Sequence, residues 1–173
     1  MNEYVALAKA AINEFIKNKS RLSVPENLSP EFYEKSGGVF VTLRMGKDLR
    51  GCVGTYIATK NNLAEEIISS AVAACSADHR FPEIRNEELP DLAVEVSLLS
   101  EPEKISDRDM LDPKKFGVIV KCLDGRCGLL LPDLDGVDNI EDQLTIACQK
   151  GGIHFKSDED LEIFRFKVKK YSD

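Results

Sequence analysis

The chain has 173 residues, 43% hydrophobic and 31% charged, with a net charge of −7. That length is enough to bury a core of its own, and the acidity argues against a nucleic-acid binder, which needs clustered Lys and Arg. Five cysteines, an odd number without the dense framework of a small secreted fold, point to a reducing compartment. No apolar run reaches the roughly 18 residues of a membrane span. The chain therefore reads as one cytoplasmic domain over residues 1–173, with no membrane and no nucleic acid among its partners.

Residues 3–17 place Val5, Ala8, Ile12, Phe15 and Ile16 on one side, the spacing of an amphipathic helix. In the loop that follows, Pro25, Pro30, Gly37 and Gly38 block regular structure. "VFVTLR" and "LRGCVGTY" then flank Gly46-Lys47, a hairpin signal. Asn62 caps the next helix with Glu65 three positions on, and its buried stripe is Ala64, Ile67, Ile68, Ala71, Val72 and Cys75. After the loop "HRFPEIRNEELPD" comes the strand "LAVEVSLL", then a charged connector over 101–115.

A second hairpin, "FGVIVKCLDGRCGLLLP", turns at Asp124-Gly125, a type I′ signal that sets Cys122 opposite Cys127 as paired core thiols. Asp138 or Asn139 starts a last helix ending at Lys150-Gly151-Gly152. "LEIFRFKV" closes as a strand with Phe164, Phe166 and Val168 on one face. Lys167, Lys169 and Lys170, the densest basic run, belong to a solvated strand edge. No sequence repeats occur. The hairpins predict an α+β fold, an antiparallel or mixed sheet with packed helices.

The stretch "DLRGCVGTY" is the candidate site. A tight Gly46-Lys47 turn pairs Val41 with Cys52, Thr42 with Gly51 and Leu43 with Arg50, and alternation puts Arg50, Cys52 and Gly54 on one face. Glycine inside a strand marks a bulge or a close approach; at Gly51 and Gly54 it leaves an opening beside Arg50 and Cys52. Arg50 there is a forked donor for a carboxylate or phosphate, and Cys52 a thiol that a neighbouring cation activates. The bland reading is a buried cysteine beside an arginine bonded to loop carbonyls.

"LRGCVG" closely resembles the signature, usually LRGCIG, of the AMMECR family, named after a human chromosomal deletion region. The likeness continues through "GVFVTL", "RFPEI", "ELPDLAVEVSLLS", "GVIV", "LLLPDL" and "QKGGI", over roughly residues 36–170, leaving 1–35 outside its strongest part. It implies an α+β fold of two lobes with the signature near the cleft between them, and no particular reaction. Bacterial and archaeal members look like one component of a system that also includes a Memo-like protein and a radical SAM protein. The family pattern discounts His79, His154 and Gly37 as sources of a dependable histidine, and with them a Cys-His pair.

Glu95 interrupts the strand 92–99, where it is exposed, ion-paired with Arg50, or a general acid/base. Arg80 reaches the same site or is a surface arginine beside a hydrophobic plug. With no CxxC, HxxxH, GxGxxG or P-loop, the sequence indicates no metal and no cofactor. Two functional readings stand. One is an enzyme component binding a small anionic molecule, with Cys52 and Glu95 catalytic and Arg50, Gly51, Gly54, Thr42 and Arg80 around the ligand. The other is a non-catalytic module docking its partner proteins through the same groove.

Overall fold

The computed structural model describes residues 2–154 and 161–172. They form two compact units, one comprising the chain up to Leu99 together with the residues from Lys169 on, the other Ser100–Val168. No described helix is long and apolar enough to cross a membrane.

In the first unit, helix α1 (Glu3–Asn18) starts at Asn2, whose side chain accepts the Tyr4 N–H, and stops at Lys19 in a left-handed conformation, φ 52°. Its buried face is Tyr4, Val5, Leu7, Ala8, Ala11, Ile12 and Ile16. The segment expected to be loop throughout contains one helical turn, α2 (Glu31–Glu34). The reason is Phe32, which is fully buried and needs a turn to reach the core. Strands β1 (Val39–Met45) and β2 (Asp48–Thr55) form the expected hairpin, with Gly46 at φ 60°. Helix α3 (Leu63–Ser76) begins at Asn62, which accepts the Glu65 N–H at 2.9 Å. Of its expected stripe, Val72 is only half-buried. A 3-10 helix (Asn86–Asp91) leads into strand β3 (Leu92–Leu99). Val39, Val41 and Leu43 of β1 and Val94 and Val96 of β3 pack with the buried faces of α1 and α3 in one core.

The second unit holds strands β4 (Glu103–Lys104), β5 (Gly117–Cys122) and β6 (Cys127–Leu130), helix α4 (Ile140–Lys150) and strand β7 (Leu161–Phe166). Its core contains Val118, Val120, Leu130, Leu144, Ala147, Cys148 and Ile163. The expected strand over 161–168 breaks at Lys167: β8 (Val168–Ser172) lies beside β3 at the edge of the first sheet. Lys169 and Lys170 are exposed on it, a solvated edge.

The pairs β1–β2, β1–β3, β4–β7, β5–β6 and β5–β7 are all antiparallel. The sheets run β2-β1-β3-β8 and β6-β5-β7-β4, so a hairpin, a helix and a strand returning beside the hairpin's first strand occur twice. The sequence shows no repeat, but the topology has one. Two details recur with it. Asn139 caps α4 by accepting the Asp142 N–H, as Asn62 caps α3. A Cβ on Gly51 would lie 2.2 Å from the Ala74 carbonyl oxygen of α3, and one on Gly128 1.8 Å from the Ala147 oxygen of α4. Each glycine lets a helix backbone rest directly on a strand.

Both hairpin registers differ from expectation by one residue. In the first, Met45 faces Asp48 and Arg44 faces Leu49, as a Gly46-Lys47 turn requires. A bulge then shifts the ladder, so Leu43 faces Gly51, Thr42 faces Cys52 and Val41 faces Val53. Arg50 is the extra residue. In the second hairpin the Gly125 N–H bonds the Cys122 carbonyl and the Cys122 N–H bonds the Arg126 carbonyl, with Gly125 at φ 90°. That is a three-residue loop ending in a left-handed glycine, not a type I′ turn. Lys121 therefore faces Cys127, and Cys122 and Cys127 point to opposite faces. Cys122 alone of the two packs against the core.

Gly51→Ala and Gly128→Ala should each destabilise by about 1–3 kcal/mol, the cost of forcing a methyl into a packed contact. Thermal melting checks this, and an unchanged midpoint would show that the helices do not sit on these strands.

Candidate functional site

The hydrogen-bond register fixes which side chains share the face of the first sheet opposite α1 and α3. Thr42 stands between Cys52 on β2 and Glu95 on β3, directly opposite both. Three residues expected at the site thus form one row across three strands, at the spacing of facing Cβ atoms, about 4.5–5.5 Å. Thr42 Oγ1 lies 3.2 Å from Cys52 Sγ. Thr42 is 9% exposed, and Cys52 and Glu95 are half-buried. The Glu95 carboxylate bonds no described residue. The next row is Gly54, Phe40 and Ser97, and Arg44 lies exposed to the other side.

β2 is an edge strand, so the outward N–H and C=O of its residues need partners other than a strand. At Cys52 side chains supply them. Asp78 Oδ2 accepts the Cys52 N–H at 2.9 Å, and Arg80 Nη2 donates to the Cys52 carbonyl at 3.3 Å. Asp78 and Arg80 are themselves joined, Nε to Oδ1 at 2.9 Å and Nη2 to Oδ2 at 2.7 Å. Arg80's bonds hold the Asp78 carboxyl well below the usual carboxylate range, and Asp78's carboxylate raises Arg80 in turn. Asp78 is 4% exposed in its side chain and Arg80 48%. Arg80 Nη1 bonds no described residue.

Arg50 is elsewhere. The bulge turns it to the loop preceding β3, where Nε and Nη2 grip Glu88 at 2.8 and 3.1 Å. Nη1 and Nη2 also donate to the carbonyls of Pro82 and Glu83, at 2.7 and 3.3 Å. The expected Arg50–Glu95 pair does not form, because Glu88 takes both forks of the guanidinium. Its bonds, Arg50's first, lower the Glu88 pKa. The cation beside Cys52 is Arg80, not Arg50.

Gly51 and Gly54 do not leave a hollow either. The Ala74 carbonyl fills the space at Gly51; at Gly54 a Cβ would lie 2.0 Å from the Val39 oxygen and 2.7 Å from the Phe40 ring. Both glycines serve close approach. Asp78, which neither pattern nor motif marked, is the residue sequence reading missed. Its signal was weak: one acid next to His79 and Arg80 in a loop, 26 positions from its partner.

The other thiols differ. Burial pushes Cys75 up to about 11 and raises Cys148, while Cys122 and Cys127 are half-buried. Among the described residues no group of three or more His, Cys, Asp or Glu side chains could hold a metal ion.

Comparison with known proteins agrees with the signature. The AMMECR1 family model matches residues 5–171. A Thermotoga maritima protein is 46% identical over 169 residues, covering 97% of this chain and 96% of that one. A Clostridium acetobutylicum protein is 41% identical over 172 residues, and this chain, 98% covered, spans only 36% of its length. The crystal structure of an uncharacterized protein from Pyrococcus horikoshii superposes with a TM-score of 0.88 at 31% identity, covering 99% of this chain and 90% of that one.

Asp78 and Glu88 both titrate below their unfolded values, so they stabilise the fold above about pH 4 and that contribution fades as pH falls through their folded values. Asp78→Ala also leaves the Cys52 N–H without its acceptor, a loss of about 1–3 kcal/mol. Melting curves at pH 7 should show the variant several degrees below wild type, with the gap narrowing toward pH 2. A gap independent of pH would contradict the charge-assisted clamp.

Proposed function

The chain belongs to the AMMECR1 family, and from that premise we propose that it is a cytoplasmic component of a small-molecule or modification pathway, binding a small anionic ligand at the Cys52–Thr42–Glu95 row. In this reading the ligand's anionic group meets the free Nη1 of Arg80, and Cys52 is the nucleophile or the closest contact. Thr42 holds the sulfur from the neighbouring strand, and Glu95 is the acid or base. Arg50, Gly51 and Gly54 frame the site without touching the ligand. Its pathway partners are the Memo-like and radical SAM proteins that the family resemblance implies.

The carrying observation is a contrast between the two halves of the topological repeat. Aligning Gly51 with Gly128, the row that follows in the first sheet is Cys52–Thr42–Glu95; in the second it is Leu129–Ile119–Phe164. The same backbone arrangement accepts an entirely apolar row. A thiol, a hydroxyl and a carboxylate there answer no need of the fold, and half-buried polar side chains with no structural duty are where ligand chemistry is found.

The alternative, a non-catalytic module that docks another protein, is favoured by one observation. The Clostridium acetobutylicum relative carries this domain within a chain nearly three times as long, so the domain occurs physically joined to other sequence.

Alkylation by iodoacetamide at neutral pH, located by mass spectrometry, tests the first reading. Cys52 should label ahead of the other four cysteines, and Thr42→Val should change its rate by about threefold or more, since one hydrogen bond to the sulfur is worth about 1 kcal/mol. A Cys52 that labels no faster than Cys75 would sink it. Glu95→Lys with the thiol chemistry intact but a partner protein no longer bound would favour the module.

A further inference from the structure

We propose that the first unit carries a second ligand site, sharing no residue with the Cys52 row, that binds a small phosphate monoester with an apolar body. It is a cavity of about 360 Å³ lined by Arg21, Leu22, Ser23, Val24, Lys60, Glu65 and Ile68, within the size range of small-molecule sites.

Three features point to that ligand. First, neither the Arg21 guanidinium nor the Lys60 ammonium bonds any described residue, although the chain has 30 Asp and Glu against 23 Lys and Arg. Two unsatisfied cations converging on one concavity suit a dianion: a phosphate monoester carries about −1.5 to −2 at neutral pH. A carboxylate, with a single charge, would neutralise only one of them. Arg21 brings the forked geometry that fits phosphate oxygens, Lys60 a point charge, and Ser23 a hydroxyl.

Second, the floor is apolar. Leu22 and Val24 pack on the core of the unit and Ile68 is 1% exposed. Glu65, the remaining charged wall, accepts weakly from Asn61 Nδ2 at 3.4 Å, leaving acceptor capacity for a hydroxyl or amine on the ligand.

Third, the backbone beside each cation is fixed. Glu66 is 2% exposed, and its carboxylate accepts the N–H groups of Thr59 and Lys60 at 2.7 and 2.8 Å and the hydroxyls of Thr55 and Thr59 at 3.0 and 2.8 Å. That buried carboxylate fixes the backbone of Lys60. On the other wall, the left-handed Lys19 ends α1 two residues before Arg21, and Lys19 is ion-paired with Glu83. Little backbone ordering is left for the ligand to impose.

Phenyl phosphate, inorganic phosphate and benzoate, each titrated into methyl-labelled protein while the Ile68, Val24 and Leu22 methyl resonances are followed, test the proposal. Phenyl phosphate should shift all three saturably, and benzoate should bind about tenfold more weakly or worse, a difference of about 1.4 kcal/mol. Arg21→Gln and Lys60→Gln should each weaken phenyl phosphate by about fivefold or more with the melting temperature unchanged, since neither side chain bonds another described residue. Cys52→Ser should leave the titration unaltered, so failure here and failure of the Cys52 reading are separate results. No methyl shift up to about 10 mM, an affinity too weak to count as a site, or shifts indifferent to both charge substitutions, would overturn it. Inorganic phosphate binding as tightly as phenyl phosphate would overturn the apolar body.

Discussion

The carboxylate of Asp78 makes the contact on which the arrangement around Cys52 depends. An edge strand presents backbone donors and acceptors that water or another chain will otherwise take. At Cys52 the edge is closed by a charged pair instead of a strand: Asp78 takes the N–H, and Arg80, locked onto Asp78, gives to the carbonyl. Both backbone groups of Cys52 are thus satisfied from outside the sheet, by two side chains. Two residues earlier, Arg50 ties the same strand to Glu88 and the carbonyls of Pro82 and Glu83. The loop between α3 and β3 is therefore fastened to β2 at two points. With the backbone pinned, the Cys52 side chain has one place to go, against Thr42 on the open face.

The bulge at Arg50 explains why the site looked different from sequence. The turn at Gly46, the Asn62 cap, the choice of Asp138 or Asn139 for α4 and most of the longer strands and helices were readable, because each depends on residues within a few positions. Register beyond a bulge is not local. One inserted residue moved Thr42 from Gly51 to Cys52 and sent the arginine out of the row. The partners that decide the outcome lie 26 and 38 positions away, where no pattern links an aspartate to a backbone amide. The two glycines were visible as exceptions, but a glycine says only that something comes close. Whether that is a ligand or a helix carbonyl depends on where α3 lands.

The topological repeat was hidden for a related reason. What the two halves share is a backbone plan, a hairpin, an asparagine-capped helix and a glycine under a helix carbonyl, and few residue identities are needed to write it. Their differences carry more meaning than their likeness. The second sheet fills its matching row with Leu129, Ile119 and Phe164, showing what this plan accepts when only packing matters. Measured against that, the first sheet places a thiol, a hydroxyl and a carboxylate where the same frame accepts apolar side chains.

Amide hydrogen exchange at Cys52 tests the clamp most directly, because that N–H has a side chain and no strand as its acceptor. Protection of Cys52 in the wild type, lost in Asp78→Ala while the amides of β1 stay protected, is the result this account predicts. A Cys52 amide that exchanges at the rate of an open edge in the wild type, or that keeps its protection without Asp78, would contradict it.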